Sequence, residues 1–184
     1  MTILVTGSSG FVAQSLIPKL EKVGFDVIGL DWKNGKYTKV IHDISKSLEI
    51  DDDIDIVIHL AARLEHERCS KEEFFETNVD GTEQVLNLAH SKNAYFIYVS
   101  TTAIYGSPEC PVTENTPIDP NGDYALTKWN GEKTCKKYES NGLEVSIIRS
   151  GPILGQRRLG IYKTIFKNLQ NNSYIPILGD GNNR

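Results

Sequence analysis

The chain has little that would tie it to an extracellular, membrane or nucleic-acid role. Its 184 residues carry 3 cysteines, Cys69, Cys110 and Cys135, and an odd, widely spaced set builds neither a disulfide framework nor a CxxC site. His66 lies three residues before Cys69, but two candidate ligands do not make a zinc site, so no metal is expected. No uninterrupted apolar run approaches the ~18 residues that span a bilayer, so no membrane association is expected. The chain opens directly on a strand-like segment, Thr2-Ile3-Leu4-Val5-Thr6, which leaves no room for the charged region and apolar core of a signal peptide. These features fit a reducing cytoplasm. An excess of charge of one sign is also missing: the formal net charge is -4, with 24% charged residues of both signs interspersed. The longest basic cluster, Arg157-Arg158, reads as a solvated loop rather than a phosphate track, so no nucleic-acid partner is expected. Internal repeats and low-complexity segments are absent as well.

What is present is a regular alternation. Short β-branched runs at Thr2 to Thr6, Asp26 to Leu30, Thr38 to Ile41, Ile54 to Leu60, Ala94 to Ser100 and Leu143 to Ile148 are separated by polar or glycine-containing segments. Longer amphipathic runs at Phe11 to Val23, Lys71 to Ser91 and Asp123 to Ser140 read as helices. That order predicts an α/β fold, a doubly wound parallel sheet with helices on both faces. The length allows one domain and the start of a second. Residues 107–122, with Pro108, Pro111, Pro117 and Pro120, read as a loop over a sheet edge, where substrate contacts are often built.

Directly after the first strand comes Thr6-Gly7-Ser8-Ser9-Gly10-Phe11-Val12-Ala13, a glycine turn feeding a helix. Gly7 permits a tight turn, Gly10 lets the backbone approach a pyrophosphate, and Ala13 is small enough for the helix to pack on the strand. The pyrophosphate would sit on the amides and positive dipole end of that helix. The second strand runs into Asp31, a carboxylate placed to accept hydrogen bonds from an adenosine ribose. Asp31 has no arginine beside it, which favours NAD over NADP, although Lys33 tempers the preference.

Further on, Tyr124-Ala125-Leu126-Thr127-Lys128 puts a phenol and an ammonium on one helix face by their i, i+4 spacing. A free tyrosine ionises near pH ~10, and a neighbouring cation favours the phenolate, drawing it towards general acid-base use. Alone, the pentad also describes an amphipathic helix with an exposed lysine.

Taken in order, the glycine turn, Asp31, His42-Asp43-Ile44, His59-Leu60-Ala61-Ala62, Asn78-Val79-Asp80-Gly81-Thr82, Ser100-Thr101-Thr102-Ala103-Ile104-Tyr105-Gly106 and the Tyr124/Lys128 pair resemble the extended short-chain dehydrogenase/reductase family, in its NAD-dependent epimerase/dehydratase branch. The resemblance runs the whole length. It implies a Rossmann-type NAD-binding domain over residues 1–150 and the beginning of a substrate-binding domain over 151–184. It implies cofactor contacts from Gly7, Ser9, Gly10, Phe11, Val12, Asp31, Asp43, Ile44, Leu60, Ala61, Ala62, Asn78, Ser100, Tyr124 and Lys128. Asp43 would meet the adenine amino group and Ile44 its face, and Asn78 would position part of the site. His59 reads as a strand-end histidine satisfied by the core. Catalysis would fall to Thr101, Tyr124 and Lys128. Thr101 would orient the substrate oxygen and Tyr124 exchange a proton with it, while Lys128 holds the nicotinamide ribose and lowers the tyrosine pKa.

The resemblance implies an NAD-dependent oxidoreductase or epimerase acting on a nucleotide-activated sugar, as a homodimer through the helices at 71–91 and 123–140. The family's sugar 4,6-dehydratases carry an Asp-Glu pair where Thr102 and Ala103 stand here, which argues against water elimination. Pro152 stands where many nucleotide-sugar epimerases have an asparagine that contacts substrate phosphate, which weakens a UDP-sugar 4-epimerase. A reductase of a small carbonyl or sterol-like compound and a non-catalytic NAD-binding module stay open. Family members continue well beyond Ile175-Pro176-Ile177-Leu178-Gly179-Asp180-Gly181. The expectation is therefore a truncated chain whose helix near Ile161 to Leu169 lacks its apolar cover and promotes self-association.

Overall fold

β-Branched runs alternating with amphipathic ones fold here into a six-stranded, all-parallel sheet of order β3-β2-β1-β4-β5-β6. A computed structural model describes residues 1–64, 69–108, 111–155 and 162–174. The strands are β1 (Thr2–Thr6), β2 (Asp26–Asp31), β3 (Val40–Ile41), β4 (Ile56–His59), β5 (Tyr95–Thr101) and β6 (Val145–Ser150). Between them lie α1 (Phe11–Val23), α2 (Lys71–Phe75), a π-helical turn (Glu76–Asp80), α3 (Gly81–Ser91), a 3-10 turn (Thr102–Tyr105) and α4 (Asp123–Ser140). These elements belong to one compact unit, Met1–Gly151; a second, Pro152–Arg184, contributes α5 (Tyr162–Gln170). On α5, Tyr162, Phe166 and Leu169 are all well exposed.

Ile3, Leu4 and Val5 are each at most 2% exposed, as a strand covered on both faces requires. Ile3 and Val5 pack with Val27 against Ala13 and Ile17 of α1. Leu4, Val57, Phe96 and Tyr98 pack against Val85, Leu86 and Ala89 of α3 and Cys135 of α4. The helices therefore cover both faces, as the alternation predicted. The strand order reverses between β1 and β4, and in such sheets a ligand crevice opens at the carboxyl ends of the strands at that point.

β1, α1 and α4 have the predicted bounds, whereas the other elements depart from the expectation. β3 keeps only Val40 and Ile41 of the expected Thr38 to Ile41, because Thr38 is drawn into a turn by its N–H bond to the Gly35 carbonyl. β4 is shorter than expected, and β6 is displaced towards Ser150. The single helix expected over 71–91 is broken by the π turn. A capping box starts it, Ser70 Oγ accepting from the Glu73 N–H and Glu73 accepting from the Ser70 N–H. Ser70-x-x-Glu73 has the spacing such a box requires. His66, Cys110, Arg157, Arg158, Ile161 and the segment from Ile175 onward lie outside the described residues. Among the described residues, no helix is long and apolar enough to cross a membrane, and no cluster of three potential metal ligands occurs.

Candidate active site

The glycine turn is shaped by contact with its neighbour strand. Gly7 has φ 70°, and a Cβ there would lie 2.8 Å from Ala61 N and 2.9 Å from Ala61 Cα. Only glycine lets the turns after β1 and β4 meet in this way. Ser8 N–H donates to the Leu30 carbonyl at 3.1 Å and Gly10 N–H to the Gly7 carbonyl at 2.9 Å. Helix α1 then starts at Phe11 with no side-chain cap on Gly10 and no acidic residue in its first turn. A helix N-terminus beside a glycine turn suits an anionic group. Leu60, Ala61 and Ala62 follow β4 half-buried, beside this turn.

Asp31, 5% exposed, closes β2 beneath the turn. Its Oδ2 accepts Ser9 N–H at 2.9 Å and Ser9 Oγ–H at 2.8 Å, and its Oδ1 accepts Lys33 N–H at 3.3 Å. Asp43 is exposed and accepts the Ser45 N–H at 3.0 Å. Desolvation opposes its ionisation, but bonds from Ser45 with the charges of Lys46 and His42 hold its carboxyl below the usual range. The neighbouring His42 Nε2 is buried without a hydrogen-bond partner among the described residues.

Three expected cofactor contacts turn their side chains into the protein. Ile44 is 5% exposed in the core and packs on Gly81, so the expectation that its side chain lies on the adenine face is corrected. Ser100 is 2% exposed, and its hydroxyl donates to Glu132 Oε1 at 2.5 Å. Asn78 is 1% exposed. Its Oδ1 accepts Arg63 N–H at 2.7 Å, and its Nδ2 donates to the Arg63 carbonyl at 3.2 Å and to Thr127 Oγ1 at 3.1 Å. Both amide hydrogens of Asn78 and the hydroxyl hydrogen of Ser100 are thus used inside the protein.

On α4, Tyr124 is half-buried and Lys128 is 3% exposed, so the lysine is not the solvated residue of an amphipathic helix. Thr127 Oγ–H donates to the Tyr124 carbonyl at 2.9 Å while accepting from Asn78, which ties the helix carrying the pair to the π turn. The Lys128 ammonium lies 4.2 Å from the centroid of the Tyr98 ring. Burial brings its pKa down to about 8, against the pull of Cys135 and Glu132. Thr101 ends β5 half-buried; its Oγ1 accepts the Ala103 N–H at 3.2 Å, which leaves the hydroxyl proton to be donated elsewhere.

Two residues central to this arrangement carried no role in the sequence reading. Glu132, 1% exposed, accepts from Ser100 and takes a bidentate fork from Arg149, with Nη2 at 2.7 Å and Nε at 3.0 and 3.2 Å. Arg149 Nη1 also donates to Tyr105 Oη at 2.6 Å and to the Glu114 carbonyl at 3.2 Å. The Glu132 carboxylate holds the guanidinium well above its usual pKa. The fork thereby joins α4, β5, β6 and the proline-rich loop. The signal available was spacing: Tyr124, Lys128 and Glu132 recur every four residues on one helix face.

His59 is fully buried and sits in a chain of hydrogen bonds whose directions can be assigned. Thr82 Oγ–H donates to the Asn78 carbonyl at 2.7 Å, so Thr82 must accept from His59 Nε2–H at 3.0 Å. Nδ1 is then the acceptor for Thr6 Oγ–H at 2.7 Å, and Thr6 in turn accepts the Ala61 N–H at 3.2 Å. Burial, with the Lys128 charge, pushes the imidazole pKa down to about 3, in keeping with a neutral ring that needs one donor and one acceptor. The core role read for His59 matches these contacts.

A parallel sheet of this order, with a helix N-terminus beside a glycine turn, defines a dinucleotide-binding α/β protein. More closely, the chain belongs to the NAD dependent epimerase/dehydratase family, whose sequence profile matches residues 3–184. That is a family of enzymes, and its cofactor is NAD. The chain is 31% identical to a putative UDP-glucose 4-epimerase of Methanocaldococcus jannaschii, over 98% of this chain and 67% of that protein. Among solved structures, it superposes on the UDP-glucuronic acid 4-epimerase of Bacillus cereus in complex with NAD. That match has a TM-score of 0.78 and 28% identity, over 98% of this chain and 66% of that one. It also superposes on DesIV, a dTDP-glucose 4,6-dehydratase of Streptomyces venezuelae, with a TM-score of 0.75 and 28% identity, over 100% of this chain and 66% of that one. The chain spans about half to two thirds of the length of the curated relatives it matches.

Proposed function

We propose that this chain carries the cofactor half of an NAD-dependent oxidoreductase or epimerase acting on a nucleotide-activated sugar, with residues 152–184 beginning its substrate-binding part. The observation that carries the reading is the buried Lys128 one helical turn from Tyr124, on a sheet whose glycine turn fits a dinucleotide. Gly7, Gly10 and the first turn of α1 would hold the pyrophosphate, Asp31 the adenosine ribose, and Leu60, Ala61 and Ala62 the dinucleotide backbone. When bound, NAD supplies a carbon that accepts and returns a hydride. Tyr124 moves the proton of the sugar hydroxyl, Thr101 donates to the same oxygen and orients it, and Lys128 places positive charge beside the phenol. The epimerase and dehydratase names among the relatives support a nucleotide sugar as substrate. Thr102 and Ala103 offer no acid-base pair for water elimination, which favours epimerisation or oxidoreduction over dehydration. The same reading has the protein in the cytoplasm as a homodimer through the helical segments at 71–91 and 123–140.

The test is calorimetric titration with NAD followed by turnover assays on a panel of nucleotide sugars. Tyr124→Phe is expected to keep NAD affinity and lose about 10²–10⁴-fold in turnover. Absence of dinucleotide binding would refute the reading. NAD binding by the full-length protein without hydride transfer to any nucleotide sugar, together with no effect of Tyr124→Phe on cellular function, would reassign it as a non-catalytic NAD-binding module.

A further inference from the structure

Lys128 lies deep in the protein, and what lies beneath it is aromatic. Its ammonium sits 4.2 Å from the Tyr98 ring centroid, and Tyr98 is fully buried. The ring is fixed at its far end: a Cβ on Gly131 would come within 2.1 Å of the Tyr98 hydroxyl oxygen, so α4 approaches β5 this closely only because residue 131 is glycine. The same hydroxyl donates towards the Lys128 carbonyl at 3.4 Å. The Tyr98 ring also stacks on His59, with centroids 5.8 Å apart and planes inclined by 20°. His59 is itself pinned between Thr6 and Thr82. A lysine, a tyrosine and a histidine thus form a column reaching the strand end that precedes the glycine turn.

We propose that Tyr98 is a positioning residue that holds the Lys128 ammonium by its ring face, with the pinned His59 fixing the plane of that ring. The proposal rests on the reading of Lys128 as catalytic. A cation over an aromatic face is held by the ring quadrupole, and the hold grows when both are out of water. The groups that bear on Lys128 are Glu132 and Cys135 on its own helix, Tyr98 on β5 and His59 on β4. Of these, Glu132 is engaged by the Arg149 fork, Cys135 is a thiol pushed up to about 12 by burial, and His59 is neutral. With Glu132 engaged by the fork, the Tyr98 face, 4.2 Å from the ammonium, supplies negative potential at close range.

The experiment reads the lysine directly. In the full chain, labelled at the lysine ε-carbons, the Lys128 pKa is followed by NMR with Tyr98 intact, with Tyr98→Phe, and with Tyr98 replaced by phenylalanines of rising fluorine content. These keep the shape of the ring and drain its face. Tyr98→Phe is expected to leave the pKa within roughly a few tenths of a unit, whereas pentafluorination lowers it by about 0.5–1.5 units, with partial fluorination between. A pKa indifferent to fluorine content in folded protein would overturn the proposal. So would an equal fall in Tyr98→Phe, since loss of the hydroxyl alone would then explain it. The titration needs neither NAD nor turnover, so its outcome is separate from that of the proposed reaction. Where turnover is measurable, the limb of the kcat profile governed by Lys128 is expected to move with the titration.

Discussion

Burial of Lys128 has a stability cost that can be measured. Removal from water takes its pKa from 10.5 to about 8. At about 1.36 kcal/mol per unit, the folded state of the cofactor-free protein gives up about 3 kcal/mol at neutral pH to keep this side chain charged. Lys128→Met keeps most of the buried stem, and its thioether suits the Tyr98 face. The variant is expected to melt roughly 6–12 °C higher, taking about 2–4 °C per kcal/mol for a chain of this size. The pH dependence identifies the cause. The folded-state pKa lies below the unfolded one, so the unfolded chain binds more protons between about 8 and 10.5, and wild-type stability rises with pH across that window. The gain from Lys128→Met should therefore be complete below pH 8 and vanish by about 10.5. Thermal unfolding of both proteins, followed by circular dichroism from pH 6 to 10.5, decides the matter. A variant that melts lower than wild type at pH 7, or a gain that does not shrink with rising pH, refutes the reasoning.

Two substitutions test other parts of the framework. Gly7→Ala forces a Cβ to within 2.8 Å of Ala61 N at φ 70°, a left-handed conformation that costs an L-residue roughly 1–2 kcal/mol before the clash is counted; calorimetry should show NAD affinity reduced by at least about tenfold, and unchanged affinity would remove the turn from the site. Arg149→Leu strands the buried Glu132 carboxylate and is expected to cost about 3–5 kcal/mol in urea unfolding. The pair Glu132→Leu with Arg149→Leu should recover most of that loss, and a double variant no more stable than Arg149→Leu would show that the fork is not the source.

Legibility in the sequence followed the kind of force at work. α1 was bounded correctly because Gly10 and Gly24 bracket one amphipathic run, and Gly24 closes the helix at φ 100°. The parallel sheet with helices on both faces followed from the alternation of strand-like and amphipathic runs, whereas its strand order is set by tertiary packing. β3 was overdrawn because residues 38–41 look like a strand, yet the turn to Gly35 claims Thr38 first. Ile44 was placed on the adenine because a motif gives a neighbourhood and not a side-chain direction; contact with Gly81 decided that direction. Glu132 and Arg149 escaped notice because charged residues on a helix and a strand are ordinarily solvated. Only their meeting across 17 positions makes them a buried pair.

The π turn is the feature the sequence concealed most thoroughly, and it is the one that best connects fold to site. Phe74, Asn78 and Thr82 must all face inward, being 7%, 1% and 1% exposed. Residues four apart drift by about 40° round an α-helix, so a regular helix would carry Thr82 about 80° away from Phe74 around the axis. A turn closed by i→i+5 bonds takes up that drift and keeps the three in line. Such a turn is intrinsically less favourable than α-helix and persists only where surrounding contacts over-determine it. Here those contacts are the bonds of Asn78 to Arg63 and Thr127, and of Thr82 to His59 and the Asn78 carbonyl. The same bonds reach α4 through Thr127 and the glycine turn through His59 and Thr6. The helix irregularity and the placement of Tyr124 and Lys128 are thus one structural decision: an extra residue in the turn lets a single asparagine support the helix that carries the pair while Thr82, one turn on, fixes the strand end that precedes Leu60 and Ala61.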